Sequence, residues 1–210
     1  MRFAVLATVV VACSCVESIE ANVIFTLGNN PQPGEENVLL SNGTSGNTVF
    51  GTTNVSHVAV EFTSTQTLTE PVSTPPTIEA TDGTDQIGLT NFTISVPSYT
   101  YGDLIFNPNI AGTIGVAGGT AHLVVTDNVG STFSFDYTLG SGSNFLTITT
   151  SGGESIANTS LQYSLSSGFT DLRQISVSGL TPLPTPEPGS LTVLAALAAL
   201  LSGREWRYRA

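Results

Sequence analysis

The sequence predicts an all-β protein: an antiparallel β-sandwich or jelly-roll domain, flanked by an N-terminal signal peptide and a C-terminal transmembrane helix. Three observations carry this expectation. Through the middle of the 210-residue chain, apolar residues recur at every second position and helical spacing is absent. Clusters of Gly, Pro and Asn cut those runs into pieces of strand length. Each end of the chain carries an uncharged apolar run next to arginine.

Residues 1–21 read as an export signal. Met1-Arg2 supplies a positive charge, residues 3–13 are apolar except for Thr8, and residues 14–20 turn polar. Ala21 is the small residue at the expected signal cleavage point. The apolar core is too short to span a bilayer, which takes roughly 20 apolar residues. A buried N-terminal strand is the competing reading, but it leaves the lone arginine ahead of the run unexplained. Val10-Val11-Ala12-Cys13 also fits a lipoprotein box, with Cys13 as the acylated residue.

Residues 22–180 form the predicted domain. Val58, Val60 and Phe62 alternate with Ala59 and Glu61; Phe92, Ile94 and Val96 alternate with Thr93 and Ser95. Phe133, Phe135 and Tyr137 alternate with Thr132, Ser134 and Asp136. Such period-two patterns put aromatic and branched side chains on one sheet face and short polar ones on the other. Segments 122–126 and 131–137 flank Asp127-Asn128-Val129-Gly130, a hairpin turn. Segment 145–149 follows as the third strand of a meander. Further strands are expected at 23–27, 37–40, 77–80, 104–107, 161–165 and 175–177, with loops at 71–76 and 107–109. Ten or more short strands broken by turn residues indicate a sandwich or jelly roll.

Residues 181–188 contain four prolines, which disfavour helix and ladder pairing and predict an extended stalk. Residues 189–203 are uncharged and rich in Leu and Ala, and predict a transmembrane helix. At 1.5 Å per residue that helix is about 22 Å long, short of the ~30 Å hydrocarbon core. Trp206 and Tyr208 extend it as interfacial anchors. Arg204, Arg207 and Arg209 form a basic stop, which places the 204–210 tail in the cytoplasm and the domain outside.

The order Pro186-Glu187-Pro188, apolar helix, arginine cluster resembles the PEP-CTERM sorting signal of bacteria that make extracellular polymer. The resemblance covers about the last 25 residues, and Glu205 sits inside the basic cluster. It implies recognition and cutting by a membrane protease, exosortase. Residues 144–154 and 168–179 resemble a segment that recurs in exported proteins with this tail. That likeness implies shared architecture and no particular chemistry.

Composition excludes several function classes. The net charge is −11 and lysine is absent. Within 22–185, Arg173 alone faces twelve acids, so this region repels nucleic acid and anionic lipid. Cys13 and Cys15 both lie in the signal. The mature domain therefore has no disulfide, no thiolate nucleophile and no Cys-based zinc site.

No nucleophile elbow, Rossmann fingerprint or Walker loop occurs. His57 and His122 are each expected in a strand, as hydrogen-bonded residues and not as triad members. Glu61, Glu79, Asp103, Asp136 and Glu154 supply carboxylates, but no surrounding signature marks a glycosidase pair. Asp82-Gly83-Thr84-Asp85 and Asp127-Asn128 offer oxygen ligands for calcium, although aspartate in turns ordinarily binds its own backbone. Tyr99 and Tyr101 are the compact aromatic candidates for stacking a sugar, with packing as the simpler role. No catalytic residue, metal ligand or cofactor is assigned.

The expected protein is therefore exported and non-enzymatic, acting at the cell surface or in the extracellular matrix. It is anchored in the inner membrane through its C-terminal helix until processing. Its expected partners are the export machinery, an exosortase-type protease and extracellular polysaccharide. The competing readings are a glycan-binding module associated with that polysaccharide and an exported hydrolase.

Overall fold

The computed structural model describes residues 22–41, 43–72 and 76–184. The signal with Ala21, the sorting motif Pro186-Glu187-Pro188, the 189–203 helix and the basic stop lie outside the described residues. Among the described residues every regular element is a strand. In chain order the first eight are β1 (Asn22–Leu27), β2 (Glu36–Leu40), β3 (Ser45–Thr53), β4 (Ala59–Thr69), β5 (Thr77–Thr81), β6 (Gln86–Ile87), β7 (Asn91–Ser95) and β8 (Tyr99–Thr100). The rest are β9 (Asp103–Ile110), β10 (Thr120–Asp127), β11 (Thr132–Thr138), β12 (Gly142–Ser143), β13 (Leu146–Ser151), β14 (Ile156–Tyr163), β15 (Asp171–Ser178) and β16 (Thr181–Pro182).

Most of these strands make two antiparallel layers, while β8 and β16 form a separate two-stranded sheet. One has the order β1-β13-β9-β15, with β12 also on β9; the other has the order β3-β4-β7-β14-β10-β11. Two strands belong to both. β2 pairs β15 through Asn37 and Glu36, then pairs β3 through Val38, Leu39 and Leu40. β5 pairs β15 through Ile78 and Thr77, then pairs β4 from Glu79 onward. Strands that change sheets in this way form the corner of a sandwich. Gly51 permits one of these corners. A Cβ there would lie 2.4 Å from Val38 Cγ1 and 3.1 Å from the Leu39 carbonyl.

Period-two patterning decides which face is buried. Phe62, Phe92, Ile94, Leu123, Val125 and Leu161 from one layer meet Leu104, Phe106, Leu146, Ile148, Leu172 and Val177 from the other. Each such side chain contributes roughly 1.5–3 kcal/mol by leaving water. Phe92 of β7 stands at the middle, edge-on to Phe106 of the opposite layer at 5.7 Å and to Phe169 at 6.1 Å. At the side away from the corner strands, Phe25 of β1 stacks on Phe135 of β11 at 5.1 Å.

Several expectations are corrected. The meander does not form: β13 leaves β11 and pairs β1 and β9 in the other layer. The second edge of β10 is taken by β14. Residues 107–109 are strand and not loop, because Pro108 sits at the gap between β12 and β13 along β9. There Asn144 Nδ2 donates to the Pro108 carbonyl in place of a ladder bond. His57 is in an exposed turn with φ 57°, outside any strand. The first stalk residues, Thr181 and Pro182, pair with β8, and the Leu183 N–H donates to the Ser98 carbonyl.

Replacing Phe92 by Ala should cost about 3–5 kcal/mol, because it joins both layers. Phe50→Ala, on the outer face of β3 and 45 % exposed, should fall within about 0.5 kcal/mol of wild type. Urea unfolding of the two variants measures both, and comparable losses would contradict this assignment of inner and outer faces.

Candidate functional site

The residues singled out in sequence do not converge. His122 lies on the outer face of β10 and contacts Asp136 directly across on β11. Both side chains are more than half exposed, so the pair is a weak surface interaction. β7 and β14 separate that strand from β4, beside which His57 sits. Glu61 faces outward between Phe50 and Ser95, and Asp103 accepts a 2.6 Å hydrogen bond from Ser178 Oγ. Tyr101 is core: it is fully buried, with its hydroxyl 3.0 Å from Thr159 Oγ1. Tyr99 packs against the same core.

The turn aspartates serve their own backbone. Asp82 Oδ1 accepts the N–H groups of Thr84 and Asp85, each at 2.9 Å, and the Thr84 hydroxyl. The Asp85 and Thr84 N–H groups hold its carboxyl down at about 2. Burial pushes Asp127 upward, but the Ser131 and Val129 N–H groups together outweigh it, leaving the carboxyl below its ordinary value. Among the described residues no group of three or more His, Cys, Asp or Glu is arranged to hold a metal ion.

Polar residues gather on the outer face of β9 and β15, and two of them, Asp171 and Gln174, are ones that sequence reasoning passed over. Asp171, 2 % exposed, accepts from Nε and Nη2 of Arg173, and Asn109 Nδ2 donates to it at 3.1 Å. The Asp171 hydrogen bonds push the Arg173 guanidinium higher still. Burial raises Glu79 against the opposing Thr77 hydroxyl. This cluster ends at a break in β15, whose register with β9 shifts between Arg173 and Ser176. Gln174 occupies the break with φ 50°, a left-handed conformation that non-glycine residues seldom hold. Asn107, fully buried, donates to Gln174 Oε1 at 2.8 Å and accepts from the Asn144 N–H at 2.8 Å.

A groove opens beside that break. The 28–35 loop crosses the outer face of the β1-β13-β9-β15 layer and is pinned by Thr147. Its hydroxyl donates to the Gly28 carbonyl at 2.8 Å and accepts the Asn30 N–H at 3.0 Å. Beneath the loop is a cavity of about 220 Å³, floored by Ile105 and Ser176 and walled by Pro31, Glu35 and Phe145. Asn29, Asn37 and Gln174 complete it. Ile105 is only 2 % exposed yet lies outside the inter-sheet core, because the loop covers it from the outer side. Asn37 and Gln174 also wall a second cavity, about 280 Å³, whose other walls are apolar, including Leu39, Leu40 and Pro76. Phe145 also walls a third, about 280 Å³, between Leu27 and Tyr137. The first two cavities therefore adjoin at Asn37 and Gln174, and the third meets the first at Phe145, where it opens between β1 and β11.

No family model, curated protein or solved structure matches this chain. Its functional reading consequently rests on these residues and on the sequence signals at its ends.

One buried acid lies away from the groove. Glu70, fully buried, accepts the Thr44 hydroxyl on Oε2, while Oε1 has no hydrogen-bond partner among the described residues. Burial raises its carboxyl above the ordinary 4.5, with the Thr44 hydroxyl opposing. In the unfolded chain the same carboxyl ionises first as pH rises. The native state therefore loses stability from near pH 4.5 up through the raised value. Glu70→Gln removes that loss, so its stability advantage over wild type should widen between pH 4 and pH 7.5. Urea titrations of both proteins at the two pH values read the difference directly; a pH-independent gap would refute it.

Proposed function

We propose that this chain is an exported, non-enzymatic protein of the cell surface or extracellular matrix, processed at its C-terminal sorting signal. The observation that carries the reading is the order Pro186-Glu187-Pro188, uncharged 189–203 run, then Arg204, Arg207 and Arg209, in a chain that begins with a secretory pattern. A membrane protease of the exosortase type is the partner that this order implies. The domain's chemistry fits such a destination. Residues 22–185 contain no cysteine, so the oxidising exterior has no thiol to attack. Their polar surface is supplied mainly by hydroxyl and amide groups, and it repels nucleic acid and anionic lipid. Among the described residues the last to hydrogen-bond to the sandwich is Leu183, just ahead of Pro186 in the sequence. A protease acting at the tripeptide therefore cuts after every strand described, β16 included.

Pulse-chase labelling of cells making wild type or Glu187→Ala checks this. Wild type should lose its tail and accumulate outside the inner membrane, whereas the variant should keep its tail and stay with the membrane. Retention of the full tail by both would remove the proposal.

A further inference from the structure

We infer that the groove leading from the β15 break, under the 28–35 loop, to the open side between β1 and β11 is a binding site for an extended, uncharged polysaccharide strand. This goes beyond export and matrix location, and it assigns residues to a binding role. Its first support is shape. The three cavities adjoin through shared walls, at Phe145 on one side and at Asn37 and Gln174 on the other. The line runs transverse to the strands. The register Thr26–Thr147–Ile105–Ser176–Asn37 crosses five of them, a span of roughly 20 Å at about 4.8 Å per strand. A row of adjoining compartments suits successive units of a polymer better than one compact molecule.

The second support is chemistry. Phe145 is half-buried but does not pack against the core, so its ring serves the groove instead. The side-chain amides of Asn29 and Asn37 have no protein partner among the described residues, and Gln174 engages only its oxygen. A sugar ring asks for this combination: an apolar face to cover its C–H groups and a few planar amides to order its hydroxyls. No basic residue lines the groove, and Glu35 is the one acidic residue in its walls, with Oε1 accepting the Gln32 N–H. Polyanionic glycans and nucleic acids are therefore excluded by charge. A peptide strand is disfavoured as well. Over β13, β9 and β15 the groove lies on strands already paired on both sides, which leaves an added strand no edge to join there.

The third support is preorganisation. The left-handed Gln174 is fixed by Asn107, itself held by the Asn144 N–H and contacting Ser143 Oγ at 3.2 Å. Strained backbone held in place by a buried network, beside a cavity, is characteristic of binding sites.

The test uses the full chain in mild detergent on non-denaturing gels cast with hydroxyethylcellulose, galactomannan or dextran, and with alginate as the polyanion. Wild type should be retarded by at least one neutral polymer and not by alginate. Phe145→Ala and Gln174→Gly should each weaken that retardation at least tenfold. Glycine suits φ 50°, and the strain it relieves roughly offsets the acceptor lost to Asn107, so Gln174→Gly should still fold cooperatively while losing the amide. It decides the matter if Phe145→Ala folds poorly. Retardation by no neutral polymer, retardation by alginate alone, or unchanged retardation in the Gln174→Gly variant would each overturn the inference.

Discussion

The break in β15 is the constraint from which the rest of this fold follows. A strand has two edges, and β15 gives one of them entirely to β9. Its other edge is divided: Leu172 and Arg173 pair with β5, while Ser176 and Val177 pair with β2. Two partners approaching one edge need a gap between them, and Gln174 with Ile175 fills it by leaving the ladder. Because β5 and β2 each continue into the opposite layer, the break closes one side of the sandwich with backbone hydrogen bonds. Closure by bonding protects edges that would otherwise invite pairing with other chains.

The opposite side is closed differently. Among the described residues β1 and β11 have no further neighbour, and the contact between the layers there includes the Phe25–Phe135 stack. A stacked pair contributes on the order of 1 kcal/mol beyond its buried area, far less directional than a row of ladder bonds. The sandwich thus has one hinge-like bonded side and one side held by apolar contact. The groove runs between them, from the β15 break to the neighbourhood of β1 and β11. Both its ends coincide with places where ordinary strand pairing stops.

How far the sequence reveals this depends on whether the deciding residues act locally. Alternation in 92–96 and 133–137 places β7 and β11 almost to the residue, since a half-buried strand writes its own period. β3 escapes notice because SGNTVFGTT offers few apolar residues; one of its inward positions is Gly51, kept small by Val38 of another strand. Pro108 reads as a loop because the compensating Asn144 is distant in sequence. The meander fails for a related reason, since the choice between β11 and β9 as partner for β13 is made by packing. The groove was equally hidden. Phe145 looks like any strand aromatic until the structure shows it facing away from the core, and nothing local marks Gln174 as left-handed.

The two outer faces of the sandwich show why a binding site belongs on one of them. The outer face of β3-β4-β7-β14-β10-β11 is a regular array. One cross-strand row reads Thr48, Thr63, Thr93, Ser160, Val124, Ser134; a neighbouring one reads Asn91, Gln162, His122, Asp136. Short side chains in such rows make a wettable surface without walls, where water competes on equal terms for every hydroxyl. The other face would be similar, with Thr26, Thr147 and Ser176 in its own row, had the 28–35 loop not been laid over it. The loop turns a flat polar surface into a concave one, buries Ile105 from the outside and brings Pro31 and Glu35 opposite Phe145. Concavity excludes water from part of a ligand and lets few polar groups orient it. The decisive element is thus a loop fixed by Thr147, whose hydroxyl bonds it at two points, and by the Gly28 N–H, which donates to the Phe145 carbonyl.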